Sequence, residues 1–394
     1  MDKIEFLNLG NQPIANGFLN KKDFSKEFFY NLSVIFDEKT KLVSLKNFVK
    51  PEMMFNENYI YQSSGSEVMR NHFKDIANKI KKNFNHKKIL EIGSNDSVFI
   101  KYFDKENSIC VEPCNTFAEI TNNLGYKTYS EFWNYNLSER IKNEHGKFDV
   151  IYAANCMCHI QNINESFKSI NNILTDNGIF IFEDPSLVEM LNRYSYDQIY
   201  DEHAHIFSVT SLKNLLMQNK LEIFKVENLL VHGGSNRIYV KKTDNKDIKI
   251  DKSVENNLKF EDIIGIKNKK IYFKFAERIK YYKKDLFDLL YKIKNKKEKI
   301  ISYGATSKST TIFNYCNINN SLIDCIIDTT PDKQGKYSPG VHIPVVSPEK
   351  GFTFDIKYVF LSAWNYMDYI INKEKDFVNR GGKFITHVPI VRFV

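Results

Sequence analysis

No apolar run in this 394-residue chain reaches membrane-spanning length, which argues against a helical membrane protein. The opening Met1-Asp-Lys-Ile-Glu5 lacks the basic and apolar pattern of a signal peptide, so a cytoplasmic protein is expected. Cysteine is sparse, six in all with none before Cys110, too few in so long a chain for a disulfide framework. Cys110 with Cys114, and Cys156 with Cys158, fit no zinc spacing and read as buried or half-buried thiols. Neither glycine turn has Gly-x-Gly-x-x-Gly spacing, which argues against an NAD-dependent sugar oxidoreductase. Lys+Arg outnumber Asp+Glu 56 to 48, a net charge of +8, but no aromatic-basic RNA motif or DNA-reading signature accompanies the excess. No nucleic-acid partner and no membrane partner are therefore expected. The charge suits a phosphorylated small molecule.

What the chain does have is core. Its hydrophobic content of 42% and aromatic content of 14% indicate a globular protein, and the length predicts two or three domains. Lys88 to Asp96 carries the organising signal. Ile89, Leu90 and Ile92 read as a buried strand, Val98 to Phe103 as the start of a helix, and Gly93 to Asp96 as the turn between them. Such turns lie at the carboxyl edge of parallel sheets, where ligands bind. Glu91 and Asp96 make this one unsuited to a bare pyrophosphate and suited to a cationic, hydroxyl-rich ligand such as S-adenosylmethionine (SAM). Glu112 ends the next strand, about twenty residues after Gly93, where a carboxylate takes ribose hydroxyls.

Strands at 89–92, 108–112, 148–152 and 178–182 alternate with helical stretches, which predicts a parallel sheet covered on both faces. The segment Asn58 to Ser66 is dense in hydroxyls, includes Tyr59, Tyr61 and Ser64, and precedes a helix that Ser66 is placed to cap. Tyr200, Glu202, His203 and His205 fall in the most chemically loaded stretch. A metal site at Glu202, His203 and His205 lacks a completing His-x-x-x-His or cysteine pair, so a general base is the better reading and no metal is expected. Val231 to Arg237 is a glycine turn whose backbone and Arg237 suit a phosphate or sugar, or equally a tight hairpin with a surface arginine. Residues 242–270, rich in lysine and asparagine, read as a connector. Tyr272 to Ile293 then recur at steps of three and four, a long amphipathic helix. A second strand, glycine turn and helix start follows at Ile300 to Ser309, with Lys308 and hydroxyls suited to phosphate.

These motifs together resemble the SAM-dependent sugar C-methyltransferases that act on nucleotide-linked 4-keto-6-deoxyhexoses. The likeness rests on Leu9 to Phe18, Tyr59 to Ser66, Glu91 to Asp96, Val111 to Pro113, Asn155, Ile199 to His203, His232 to Ser235 with Arg237, Tyr303 to Lys308, and Lys333 to Gly335 with Pro339-Gly340. It implies an α/β protein in three parts: a small N-terminal cap over 1–70, a Rossmann-like class I SAM-methyltransferase domain over 71–245, and a Rossmann-like α/β domain over 246–394. The sugar nucleotide, a dTDP or GDP derivative, would lie between the last two. The family's Tyr-x-Glu-His element matches Tyr200, Glu202 and His203, with a further tyrosine at Tyr59 or Tyr61. Glu91, Gly93, Asn95, Asp96, Glu112 and Asn155 are then the cofactor residues, and Arg237, Lys308 and Ser64 the substrate residues. Two departures stand out. The family's four zinc cysteines are missing from the N-terminal part, so no zinc is expected, and the glycine after Asn-Asp is Ser97 here.

The expected reaction is removal of the proton beside the C4 ketone, with C3 the favoured position and His203 as base, then attack of the carbanion on the SAM methyl. A sugar O-methyltransferase and a non-catalytic SAM- or nucleotide-binding subunit are the alternatives. The chain is expected to be a monomer or weak homodimer.

Overall fold

The computed structural model describes residues 3–394; Met1 and Asp2 of the expected cap lie outside it. Three sheets organise the chain. The first is antiparallel and contains β1 (Lys3–Pro13), β2 (Phe29–Asp37) and β3 (Val43–Leu45). Its buried face is apolar, with Phe6, Leu7, Val34, Phe36 and Val43.

The second sheet is built from β4 (Ile89–Ile92), β5 (Ser108–Val111), β6 (Lys127–Tyr129), β7 (Phe148–Ala154) and β8 (Leu174–Pro185). The chain then makes a two-residue strand β9 (His205–Ile206), which leaves this sheet and pairs with β3 of the first. Two longer strands, β10 (Leu221–Leu229) and β11 (Ser235–Lys242), complete the central sheet. Its order is β10-β11-β8-β7-β4-β5-β6, parallel except for β11, which runs antiparallel to both neighbours. A Rossmann-like sheet with one reversed strand next to its edge is the class I methyltransferase topology. β4, β5 and β7 are apolar almost throughout because both of their faces are covered.

The third sheet holds β12 (Ile300–Tyr303), β13 (Cys325–Ile327), β14 (Val345–Val346), β15 (Tyr358–Leu361), β16 (Lys383–Thr386) and β17 (Arg392–Phe393). It is parallel apart from β17, and the helix Ser307–Tyr315 follows β12 as expected. One hydrophobic cluster runs from the first sheet into this third part. Its bridge is the long helix Lys269–Lys294, whose Tyr272 ring lies 5.1 Å from Phe6 and 4.4 Å from Phe36.

Two expectations change. Residues 98–103 form only a short 3-10 turn, Ile100–Tyr102, because Asn95 and Ser97 occupy the left-handed region at φ 44° and 64° and interrupt a helix before it starts. The expected connector contains a helix, Lys252–Ile264. It buries little apolar surface and is anchored instead by Glu261, whose carboxylate accepts the N–H groups of Val209 and Thr210 at 2.7 Å each. That carboxylate satisfies orphan donors at another helix start, which an apolar stripe cannot reveal. Among the described residues no helix is long and apolar enough to cross a membrane.

Candidate active site

The three sheets meet around a cavity of about 1020 Å³. One wall is the carboxyl edge of β4 and β5. Gly93 takes φ 74°, and a side chain there would lie 2.9 Å from Cys156 Sγ, so only glycine fits the turn. Glu112 folds back onto it, Oε2 accepting the Asn95 N–H at 2.8 Å and Oε1 the Cys114 N–H at 2.9 Å. Burial pushes this carboxyl up, and those two N–H groups pull it back. Gly93, Asn95, Glu112 and Asn155 all line the cavity. Beside them stands Trp133, whose buried Nε1–H has no partner among the described residues. Ribose acceptors, apolar walls at Ile92 and Val111, and this orphan indole donor fit an adenosine group.

Glu91 and Asp96 stand elsewhere. Glu91 does not line the cavity; its side chain is buried against the Ile100 backbone, with Oε2 unpartnered among the described residues. Asp96 holds the Tyr59–Ser66 loop by accepting the Ser64 N–H at 3.1 Å, while Asn95 accepts the Ser63 N–H at 2.9 Å and donates to the Tyr61 carbonyl at 3.0 Å. The cofactor turn and the tyrosine loop are therefore one hydrogen-bonded unit. Ser64 serves it through its backbone and does not line the cavity.

Tyr59, Tyr61, Tyr200, Glu202 and His203 line the cavity together. Tyr200 Oη lies 2.8 Å from His203 Nε2, and His203 Nδ1 lies 2.6 Å from the Gln198 carbonyl. A carbonyl only accepts, so Nδ1 carries the proton and donates it, leaving the lone pair on Nε2 to accept from Tyr200. Burial pushes His203 well below the usual histidine range, and the stacked His159 ring adds to the effect. Glu202 accepts from Asn16 and from the Tyr59 hydroxyl, 3.3 Å away. Its neighbour Asp201 accepts the Ala15 N–H at 2.9 Å, and burial raises both carboxyls. Thus the loop Ala15-Asn16 after the first strand braces the loop that carries Tyr200, Glu202 and His203. His205 turns away, bonded to Ser44 and to the Gln161 carbonyl, so it joins neither a metal site nor the base.

The opposite wall comes from the third sheet. Lys308 lines the cavity, its amine pulled down by burial against the opposing influence of Asp197 and Glu202. Lys333 also lines it, donates to the Ala305 carbonyl at 2.7 Å and sits 5.0 Å over the Phe18 ring. Arg237 does not line it. Buried, it bonds to Glu183 at 2.7 Å and Glu227 at 2.8 Å, so it is a structural cation rather than a phosphate ligand. The glycine turn before it answers to packing, since a side chain on Gly233 would meet the Trp364 ring at 2.3 Å. Residue types alone do not single out Asn16, Trp133, His159 and Lys333, which the long-range fold, not local spacing, brings to the cavity wall.

Comparison with known proteins agrees with this geometry. A model of the methyltransferase domain matches residues 62–226, one of the C-methyltransferase C-terminal domain residues 230–389, and one of a putative zinc binding domain residues 1–55. C-methyltransferase NovU of Streptomyces niveus is 28% identical over 399 residues, covering 100% of this chain and 94% of its own. SAM-dependent methyltransferase structures from Clostridium acetobutylicum and Anabaena variabilis align with 14% and 15% identity. They cover 45% of this chain each, 93% and 86% of their own, with TM-scores of 0.35 and 0.36. Residues 1–55 contain neither cysteine nor histidine, and the interior of their sheet is apolar, so they do not fit a cysteine-ligated zinc. The reversed-strand sheet, the Glu112 wall, the matched methyltransferase and C-methyltransferase C-terminal domains and a C-methyltransferase relative aligned along the whole chain together support a SAM-dependent C-methyltransferase.

Proposed function

We propose that this enzyme methylates the carbon next to the ketone of a nucleotide-linked 4-keto-deoxysugar, C3 being the position favoured. The observation that carries the reading is the Tyr200–His203 pair, a neutral imidazole whose Nε2 lone pair is held by the Tyr200 hydroxyl at the edge of a cavity that has adenosine-type groups on one wall and lysines on the other. SAM supplies the methyl group when bound. Glu112, with a lone pair left on each oxygen, is the acceptor for ribose hydroxyls, and Asn155 and Gly93 border the same pocket.

His203 Nε2 takes the proton beside the ketone. The imidazolium and the enolate form together, so no net charge is added to the buried site, which lets a histidine of low basicity serve. The Gln198 carbonyl supports the cation through Nδ1–H. Tyr200, released from Nε2, donates to the developing oxyanion, and Tyr59 with Glu202 positions the sugar. Lys308 and Lys333 hold the anionic end of the nucleotide.

Exchange of the substrate proton with deuterated water tests the base assignment. His203→Asn should abolish exchange at the carbon next to the ketone and leave SAM affinity near that of the wild type. Persistent exchange would make another group the base.

A further inference from the structure

Cys158 and His159 share the 3-10 turn Met157–His159 that follows β7, and their side chains lie beside His203. One ligand atom from each of the three lies within 4.8 Å of the other two. The His159 and His203 rings face each other at 5.5 Å and 22°. Zinc bonds to nitrogen and sulfur run about 2.0–2.3 Å, so drawing these atoms around one ion takes shifts of about 1 Å.

Two independent observations point to a ligand here. His203 donates Nδ1–H to the Gln198 carbonyl at 2.6 Å, the kind of outer support that fixes the free nitrogen of a metal-bound histidine. Asp184, only 3% exposed, lies against the Cys158 thiol and the Cys156 and Cys158 backbone, which puts an oxygen donor beside the three ligand atoms.

We propose that Cys158, His159 and His203 form a site for one soft divalent transition-metal ion, Zn²⁺ by donor chemistry, whose occupation shuts the enzyme off. The thiolate and imidazole donors, with Asp184 as adjacent oxygen donor, select Zn²⁺ over Mg²⁺ or Ca²⁺. On binding, Cys158 releases its proton to solvent and its sulfur bonds the metal, while Tyr200 gives up its hydrogen bond to His203. The ion and the substrate proton then compete for the same lone pair. No residue of 1–55 takes part, so this site is separate from the N-terminal segment that matches a zinc-binding model. Binding stands on its own; only the inhibition rests on His203 as base.

Co²⁺ titration of the full-length protein, without sugar, is the test. One equivalent should give visible bands of a four-coordinate ion and a thiolate-to-cobalt charge-transfer band in the near ultraviolet, both displaced by Zn²⁺. Cys158→Ser should remove the charge-transfer band, retain the metal-free methyl-transfer rate, and raise the Zn²⁺ needed for half inhibition at least about tenfold. His159→Gln should keep the charge-transfer band while weakening Co²⁺ at least about tenfold, and it decides the matter alone if Cys158→Ser does not fold. Cys156→Ser should keep the wild-type charge-transfer band. Absence of the charge-transfer band, or its survival in Cys158→Ser, would overturn the site. Cobalt bands without zinc inhibition would overturn the shut-off.

Discussion

The Tyr200 hydroxyl stands 2.8 Å from His203 Nε2 while Gln198 holds the opposite nitrogen, so a single tautomer is built into the resting enzyme. Removing the imidazole should cost a full general-base contribution, about 10²–10⁴ in kcat, for His203→Asn. Tyr200→Phe keeps the base and loses an oxyanion donor, so it should lower kcat by about 10²–10³. Steady-state kinetics with calorimetric SAM binding checks both, and SAM affinity should move little in either variant. A His203→Asn enzyme with near wild-type kcat would rule out the assignment.

Ser97 sits at φ 64°, fully buried, with its hydroxyl 2.6 Å from Thr121 Oγ1. Left-handed backbone at a non-glycine costs about 1–3 kcal/mol, and a buried hydrogen bond returns about 1 kcal/mol. Ser97→Ala keeps the strain and loses the bond, so it should destabilise by about 1–2 kcal/mol. Ser97→Gly loses both and should stay within about 1 kcal/mol of wild type. Denaturant midpoints give the order; an alanine variant as stable as the glycine one would contradict it.

Glu183 is buried among three donors: His72, Arg237 and Tyr152. Burial pushes its carboxyl up, but His72 and Arg237 outweigh that and hold it at about 2, against 4.5 for a free carboxyl. The folded value is depressed, so its contribution is complete above pH 4.5 and is lost as pH falls from about 4.5 toward 2. Glu183→Gln leaves Arg237 buried against one carboxylate fewer and should cost about 3 kcal/mol at neutral pH. It should also flatten the acid limb of a stability-against-pH curve. An unchanged acid limb would show that other carboxylates control it.

Gly233 links the methyltransferase sheet to the third part through Trp364, whose Nε1–H donates to Asp197 at 2.6 Å. With φ 85° and no room for a side chain, Gly233→Ala should cost about 2 kcal/mol or more. Thermal unfolding should show the loss, and a neutral substitution would mean that Trp364 relocates freely.

The sequence carried the sheet-forming runs and the chemistry-bearing loop well, because apolar continuity and residue type are local signals. Strand 89–92 and the helix cap at Ser66 lie where local pattern places them, Ser66 accepting the Met69 N–H. Arg237 was illegible in role, since its partners Glu183 and Glu227 come from neighbouring strands and turn a loop-end cation into a buried one. Asp96 misled for a similar reason: an acid beside a ligand turn bonds the Tyr59–Ser66 loop instead of a ligand. Lys252–Ile264 hid because a single carboxylate, not an apolar face, fixes it.

Transfer of a ¹³C-labelled methyl from SAM to a nucleotide-linked 4-keto-6-deoxyhexose, followed by carbon NMR, tests the central claim most directly. The account predicts a labelled methyl bonded to the carbon next to the ketone, with no transfer by His203→Asn. A labelled O-methyl resonance, or carbon methylation that persists in His203→Asn, would contradict it.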